Sequence, residues 1–451
     1  MAKTKVCWRI HAWRNSCCYL LVLWAMTQVA VAQISIDGNL SVAGRAFTAS
    51  KVYAMLQLYF SGWKSLPELD LDIAYRNYLE KALAADDRRE FDLATMEFLA
   101  RLHNGHTVLR DSWLTKNYGQ SMGFYARPLD GKWVVQSSVM PSVKAGDVLS
   151  KIDGIEVETF FRQQQKYISG SNEAAQRYNF FFLTHLFPER FTLTLEDGRS
   201  IGVDRAANKL PSEARANPEG HWLTQNTVAY IHIPSFADPL AEEKALAYVT
   251  QFEKARTLII DVRNNAGGLI PRRLTKALMD RTYRNWKEST PIHISMLELS
   301  EKINKAGQQK GISDFERGYL SASAAFFGGS QLDWGGDLVA PDGPVFHGQI
   351  IFLVDGGCAS ACEELAGPFK ENHRGILVGE TTEGSSGPAY MQDLGNGMKI
   401  GIAAKRQYFP DGAEFEGVGI RPDFEVHPSA KDLKTGRDVV LEKALELAAT
   451  P

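Results

Sequence analysis

At 451 residues the chain is too long for one ordinary hydrophobic core, so two or three domains are expected. It is 44% apolar and 23% charged, a globular composition that sets aside a disordered or fibrous chain. The formal charge of −3, with no basic cluster, argues against nucleic acid as a partner.

Residues 1–32 read as a secretory signal. Lys3, Lys5, Arg9 and Arg14 precede an apolar run from Cys17 to Ala32, and Ala30-Val31-Ala32 before Gln33 fits a small-x-small cleavage site after Ala32. The run is short for a membrane span and is interrupted by Thr27 and Gln28. The mature protein is therefore expected in a periplasm or the extracellular space, not as an integral membrane protein. Its charge would change from −3 to −7 with the loss of those four cations. Cys7, Cys17 and Cys18 leave with the signal, so Cys358 and Cys362 are the two that stay. They flank Ser360, and either a local bridge or two small packing residues fits their spacing; packing is the expectation. With no second Cys/His pair nearby, no metal is expected, and nothing implies a cofactor.

Residues 33–116 read as a helical N-terminal domain. Apolar residues recur at helical spacing over 48–63, 75–85 and 91–102. The third helix stops at His103-Asn104-Gly105-His106-Thr107, because Asn-Gly supplies the left-handed conformation that closes a helix. His106 thus sits in a turn that would hold it outward, where a general base has to be.

The pattern changes to short alternating strands over 117–205. The phrase from Gly146 to Gly154 (GDVLSKIDG) resembles a PDZ domain, and Ser121-Met122-Gly123-Phe124 resembles its carboxylate-binding loop. That likeness implies capture of an extended peptide as an added strand. Residues 206–220 are polar, carry two prolines and read as a linker.

Residues 219–430 follow a βαβ pattern. A buried apolar strand over 257–262 runs into Arg263-Asn264-Asn265-Ala266-Gly267-Gly268, where paired glycines let backbone N–H groups approach a ligand. A second strand, 350–354, leads through Asp355-Gly356-Gly357 to Cys358-Ala359-Ser360-Ala361-Cys362-Glu363, so Ser360 stands at a strand-to-helix turn. That is the place for an exposed nucleophile, and equally for a capping serine. Residues 280–344 are polar, broken by Gly and Pro, and fit an insertion lining or covering a site. The chain closes on a C-terminal helix within 431–451.

Three segments in order, Asp261 to Gly268 (DVRNNAGG), Cys358 to Glu363 (CASACE) and Glu416 to Asp423 (EGVGIRPD), strongly resemble the S41 serine peptidases, the C-terminal processing proteases and the tricorn core protease. The resemblance implies an α/β multidomain protein with a crotonase-like ββα catalytic core, a PDZ-like β module and a helical N-terminal domain. It implies Ser360 as nucleophile, with an oxyanion hole from the N–H of Ala361 and one of Gly267 or Gly268. The processing proteases carry a lysine base where this chain has Ser385, so a Ser–Lys dyad is not supported. The family's other branch takes a histidine from an upstream turn and a downstream glutamate. His106 and Glu416 match those roles, Glu416 acting through an intermediate hydroxyl if not directly. Protein or peptide substrates follow, with a homo-oligomer left open. The alternative is a catalytically inactive relative that keeps the fold for ligand or peptide binding.

Overall fold

The computed structural model describes residues 38–208, 217–291, 331–343, 345–385, 387 and 389–449. The expected signal segment and residues 292–330 of the expected insertion lie outside the described residues.

Three helices come first: α1 (Val42–Tyr59), α2 (Leu71–Ala84) and α3 (Arg88–Ala100). Asp70 and Asp87 cap α2 and α3, accepting from the N–H groups of Ile73 and Glu90. The apolar stripe read from the sequence is buried, with Val52, Leu56, Phe91 and Leu99 fully enclosed. It packs on Tyr390, Ile400 and Ile402 from the far end of the chain. Strand β1 (Val108–Asp111), just after the His106 turn, pairs antiparallel with the distant strand Met398–Ala403. The turn is thereby fixed to the C-terminal half.

After α4 (Ser112–Tyr118) come β2 (Phe124–Leu129), β3 (Lys132–Ser138), β4 (Val148–Ile152), β5 (Ile155–Glu156), α5 (Val157–Gln164), α6 (Glu173–Asn179), β6 (Arg190–Leu195) and β7 (Ser200–Asp204). The antiparallel sheet runs β2-β3-β4-β6-β7, with β5 on β4. Asp197-Gly198 makes the β6–β7 hairpin turn, with Gly198 at φ +89°. Trp133, Phe161, Phe180, Phe181 and Phe187 build this module's core, each burying a large apolar area in tilted or edge-on ring pairs.

The remainder contains β8 (Glu219–Thr224), β9 (Val228–His232), α7 (Ala241–Gln251), β10 (Thr257–Asp261), α8 (Arg272–Leu278), β11 (Tyr283–Arg284), β12 (Lys287–Pro291), β13 (Gln331–Gly335), β14 (Leu338–Val339) and β15 (Gln349–Val354). They are followed by α9 (Ala361–Glu371), β16 (Ile376–Gly379), β17 (Ala389–Gly395), β18 (Met398–Ala403), β19 (Arg406–Tyr408), β20 (Phe424–Glu425), α10 (Ala430–Thr435) and α11 (Val439–Ala449). The main sheet has the order β20-β16-β15-β10-β9-β8. All neighbours are parallel except the β8–β9 hairpin. Along β10, Leu258 and Ile260 face the layer of α7, α8 and α9, while Ile259 faces α11. Both faces are buried, which is why this strand reads as an unbroken apolar run.

The crotonase-like ββα repeat expected from the resemblance does not form. Strands apolar on both faces need helices on both sides, and the β9–α7–β10 and β15–α9–β16 links supply crossovers between parallel neighbours. The result is an open, doubly covered α/β sheet. The loops leaving the carboxyl ends of β10, β15 and β16 lie side by side, where open α/β sheets place their ligands.

Candidate active site

The loop after β15 is pinned at its base by Asp355, whose carboxylate accepts from Gly357 N (3.0 Å) and Asn264 N (2.9 Å). Burial raises the Asp355 pKa above its usual value, with Arg127 opposing. Cys358 and Cys362 form a disulfide with Cα atoms 5.4 Å apart, which corrects the packing expectation. Cys358 lies before α9 rather than within it, and the non-helical turn brings the two residues into bridging range.

Between the cysteines, Ser360 has φ +56° and ψ −120°, not the extended backbone of an ordinary N-cap residue. A serine in so sparsely populated a region marks stored backbone strain, which concentrates at functional sites. Its N–H donates to Ser385 O (2.8 Å) and to Glu363 Oε2 (3.2 Å). The fully buried Glu363 carboxylate also accepts from Thr382 Oγ1 (2.5 Å), Gly384 N (2.7 Å) and Ser385 N (3.0 Å). Burial pushes its pKa well above the usual range against those donors. One carboxylate thus joins the Ser360 turn to the loop after β16.

That loop holds Ser385, which replaces the expected lysine. Its Oγ lies 2.8 Å from His106 Nδ1. Asn104 Oδ1 shapes the His106 turn by accepting from His106 N (2.9 Å) and Thr107 Oγ1 (3.0 Å). Gly105 has to be glycine: a Cβ there would stand 2.7 Å from Ser385 Oγ and 3.0 Å from Glu383 Oε1. Burial, then Arg110 and Lys405, lowers the His106 pKa to about 4, so the imidazole is neutral at physiological pH. Lys405 is no rival base. Burial alone would lower its pKa, but Glu288 and Glu364 outweigh that and hold the ammonium charged.

On the opposite side, Gly267 (φ +90°) is pressed against the nucleophile turn; a Cβ on it would be 2.6 Å from Ser360 Cβ and 2.8 Å from Ala361 N. Its N–H donates to Asn265 Oδ1 (2.9 Å). The bridge to Phe236 uses Gly267 O and Leu269 N, so Gly268 N–H lies outside that pairing. Ala361 N opens α9. Half-buried Glu416 sits in a turn docked on Gly384, with Gly417 N donating to Gly384 O (2.8 Å). The structure therefore brings the Ser360 turn, His106 and the Glu416 turn to the Gly384-Ser385 segment and packs Gly267 against Ser360 and Ala361, while Gly268 packs on Phe236 and Ala237.

Ser121, Met122, Gly123 and Phe124 lie at the start of β2 in the PDZ-like module. Met122 and Phe124 are buried, and Gly123 N–H donates to Ser121 Oγ (3.0 Å). Among the described residues no His/Cys/Asp/Glu group is arranged to hold a metal ion. Two residues were not singled out from the sequence as site residues. Glu363 was visible as the fourth member of a Ser-x-x-Glu capping pattern. Ser385 was visible only as the residue in the lysine's place.

Residues 227–426 match Peptidase family S41. That stretch, which carries Ser360, is similar to the S41 serine-type peptidases. It is 24% identical over 323 residues to the carboxy-terminal-processing protease of Bartonella bacilliformis, covering 70% of this chain and 60% of that one. It is 24% identical over 326 residues to the carboxyl-terminal-processing protease of a Synechocystis species, covering 71% and 63%. The chain thus spans less than two thirds of the length of either relative. Mature CPAF in complex with lactacystin superposes with a TM-score of 0.68 at 15% identity, over 90% of this chain and 98% of that one. The photosystem II D1 C-terminal processing protease gives 0.50 at 18%, over 90% and 97%. At those identities the likeness concerns the fold. It supports the α/β multidomain architecture in place of the crotonase-like core.

Proposed function

We propose that the chain is an exported serine peptidase that hydrolyses peptide bonds of protein or peptide substrates. Ser360 Oγ attacks the scissile carbonyl carbon and His106 Nε2 takes its proton. The productive tautomer has Nδ1–H donating to Ser385 Oγ, whose hydroxyl in turn donates to the Glu416 carboxylate and so supports the imidazolium. The tetrahedral oxyanion is received by Ala361 N–H and Gly268 N–H; Gly267 N–H is engaged by Asn265. His106 returns the proton to the leaving amine, and water repeats the cycle on the acyl-enzyme. The PDZ-like module presents peptide ends through Ser121–Phe124. The Cys358–Cys362 bridge fits an oxidising compartment.

The observation that carries this reading is the 2.8 Å contact between His106 Nδ1 and Ser385 Oγ, which gives the histidine an orienting partner where the lysine is absent. The test is labelling by a serine-directed fluorophosphonate and cleavage of unfolded casein, wild type against Ser360→Ala. The wild type labels and cleaves, and the variant loses roughly 10⁴-fold or more in rate. A wild type that does neither is a fold kept for binding, and the peptidase reading fails.

A further inference from the structure

The loop at residues 170–172 belongs to the PDZ-like module, between the turn Gln165–Tyr167 and α6. It is held rigid from its own side. Buried Gln176 donates to Ile168 O (2.7 Å) and accepts from Gln165 Nε2 (2.9 Å). A Cβ on Gly170 would run into Gln176 Cγ at 2.7 Å, so the loop is closely packed on that residue. Asn172 Oδ1 caps α6 by accepting from Ala175 N (2.8 Å).

From this anchored position the loop reaches three segments of the site. Ser171 Oγ accepts from Gly105 N (3.2 Å), the residue before His106. The amide nitrogen of Asn172 donates to Glu383 O (3.0 Å), two residues before Ser385, and to Gly417 O (3.0 Å), the residue after Glu416. The base, its hydroxyl partner and the supporting carboxylate come from three distant parts of the chain. These two neighbouring side chains touch all three parts.

We propose that Ser171 and Asn172 are positioning residues of the peptidase centre, registering the turn of His106 against the segments of Ser385 and Glu416 through three hydrogen bonds. The proposal rests on the reading of those three residues as base and support. Neither residue touches the reacting atoms. They act on the geometry of proton transfer, where a displacement of about 1 Å costs roughly 10²-fold in rate.

The substitution that isolates this role is Asn172→Ser. Serine caps a helix as well as asparagine does, so α6 keeps its cap, but the two amide donors are gone. Ser171→Ala removes the third bond and leaves the cap untouched. The full chain is assayed by casein cleavage and by the rate of fluorophosphonate labelling, with Ser360→Ala and His106→Ala as controls. We expect Asn172→Ser to lower kcat and the labelling rate together by about 10- to 10²-fold, with KM within about twofold of wild type. Ser171→Ala should lower both by several-fold. Wild-type kcat and labelling in both variants would overturn the proposal, as would a rise in KM alone, which would mark a substrate contact. If Asn172→Ser fails to fold, Ser171→Ala decides by the same criterion. If the controls match the wild type, the peptidase reading fails and the brace with it. Inert controls beside fully active loop variants defeat the brace alone.

Discussion

The nucleophile and its base are held by opposite strategies. Ser360 is fixed locally: the disulfide, the strained turn, Glu363 and the ends of adjacent parallel strands all lie within one sheet edge. His106 is fixed from afar, by β1 pairing with β18, by Ser385 Oγ and by a loop of the PDZ-like module. Burial on the nucleophile side creates a network whose members fail together if one is removed. On the base side, single long-range contacts set an angle or a distance, so losses there should fall on rate more than on stability.

The largest break in that contrast comes from Glu363→Ala. It leaves the buried donors of Thr382, Gly384 and Ser385 without this acceptor, at about 1–3 kcal/mol each and not additively, while Ser360 N–H keeps Ser385 O. Urea denaturation should show a loss of about 3 kcal/mol or more, with labelling abolished; a loss under about 1 kcal/mol would put the network elsewhere. Ser385→Ala is the counterpart on the base side. It should cut kcat by roughly 10²-fold, about 2.7 kcal/mol in the barrier, with the denaturation midpoint nearly unchanged. Equal damage to stability and rate would erase the distinction.

Replacing Cys358 and Cys362 together by alanine opens a very short loop, so the chain-entropy estimate is only about 2 kcal/mol. If the bridge positions Ser360, labelling should slow by more than the stability loss explains, measured below the unfolding transition. Asp92 sharpens the comparison from the other region. Burial, with Asp111 adding to it, raises its pKa to about 9, beside the enclosed Arg88–Asp111 ion pair. The folded state then holds a proton that the unfolded chain has lost, so stability falls as pH rises from about 4 toward 9. Asp92→Asn should flatten that slope in thermal melts between pH 5 and 9, without changing the labelling rate at pH 6.

How much of this was legible follows from what is local. The strand-turn-helix around Ser360 and the glycines at 267 and 268 are written in consecutive residues, and the Asn-Gly stop put His106 in a turn. The pairing of β10 with β15, and of β15 with β16, was not legible, because apolar runs name buried strands without naming their neighbours. The crotonase-like expectation came from the resemblance and gave way to the observed strand order. Ser385 shows the other gap. A serine in place of a lysine says what is missing; only the meeting of the β16 loop with a turn 279 residues away says what the hydroxyl does instead. The bridge between Cys358 and Cys362 turned on where α9 begins, and helix ends are the least certain part of any sequence reading.

The most direct test of the central claim, that His106 serves Ser360 as its base, is the fluorophosphonate labelling rate measured by intact mass from pH 3.5 to 8. Its lowered pKa leaves His106 neutral above about 4. The same shift makes folding stability fall as pH drops from about 6.5 toward 4, because the unfolded chain takes up a proton that the buried imidazole refuses. Rates are therefore read only where the protein stays folded. The account predicts a wild-type rate that holds through pH 5 and falls with an acid limb near 4, and His106→Ala lower by about 10³-fold or more with no such limb. Labelling of His106→Ala at the wild-type rate, with the limb intact, would contradict it.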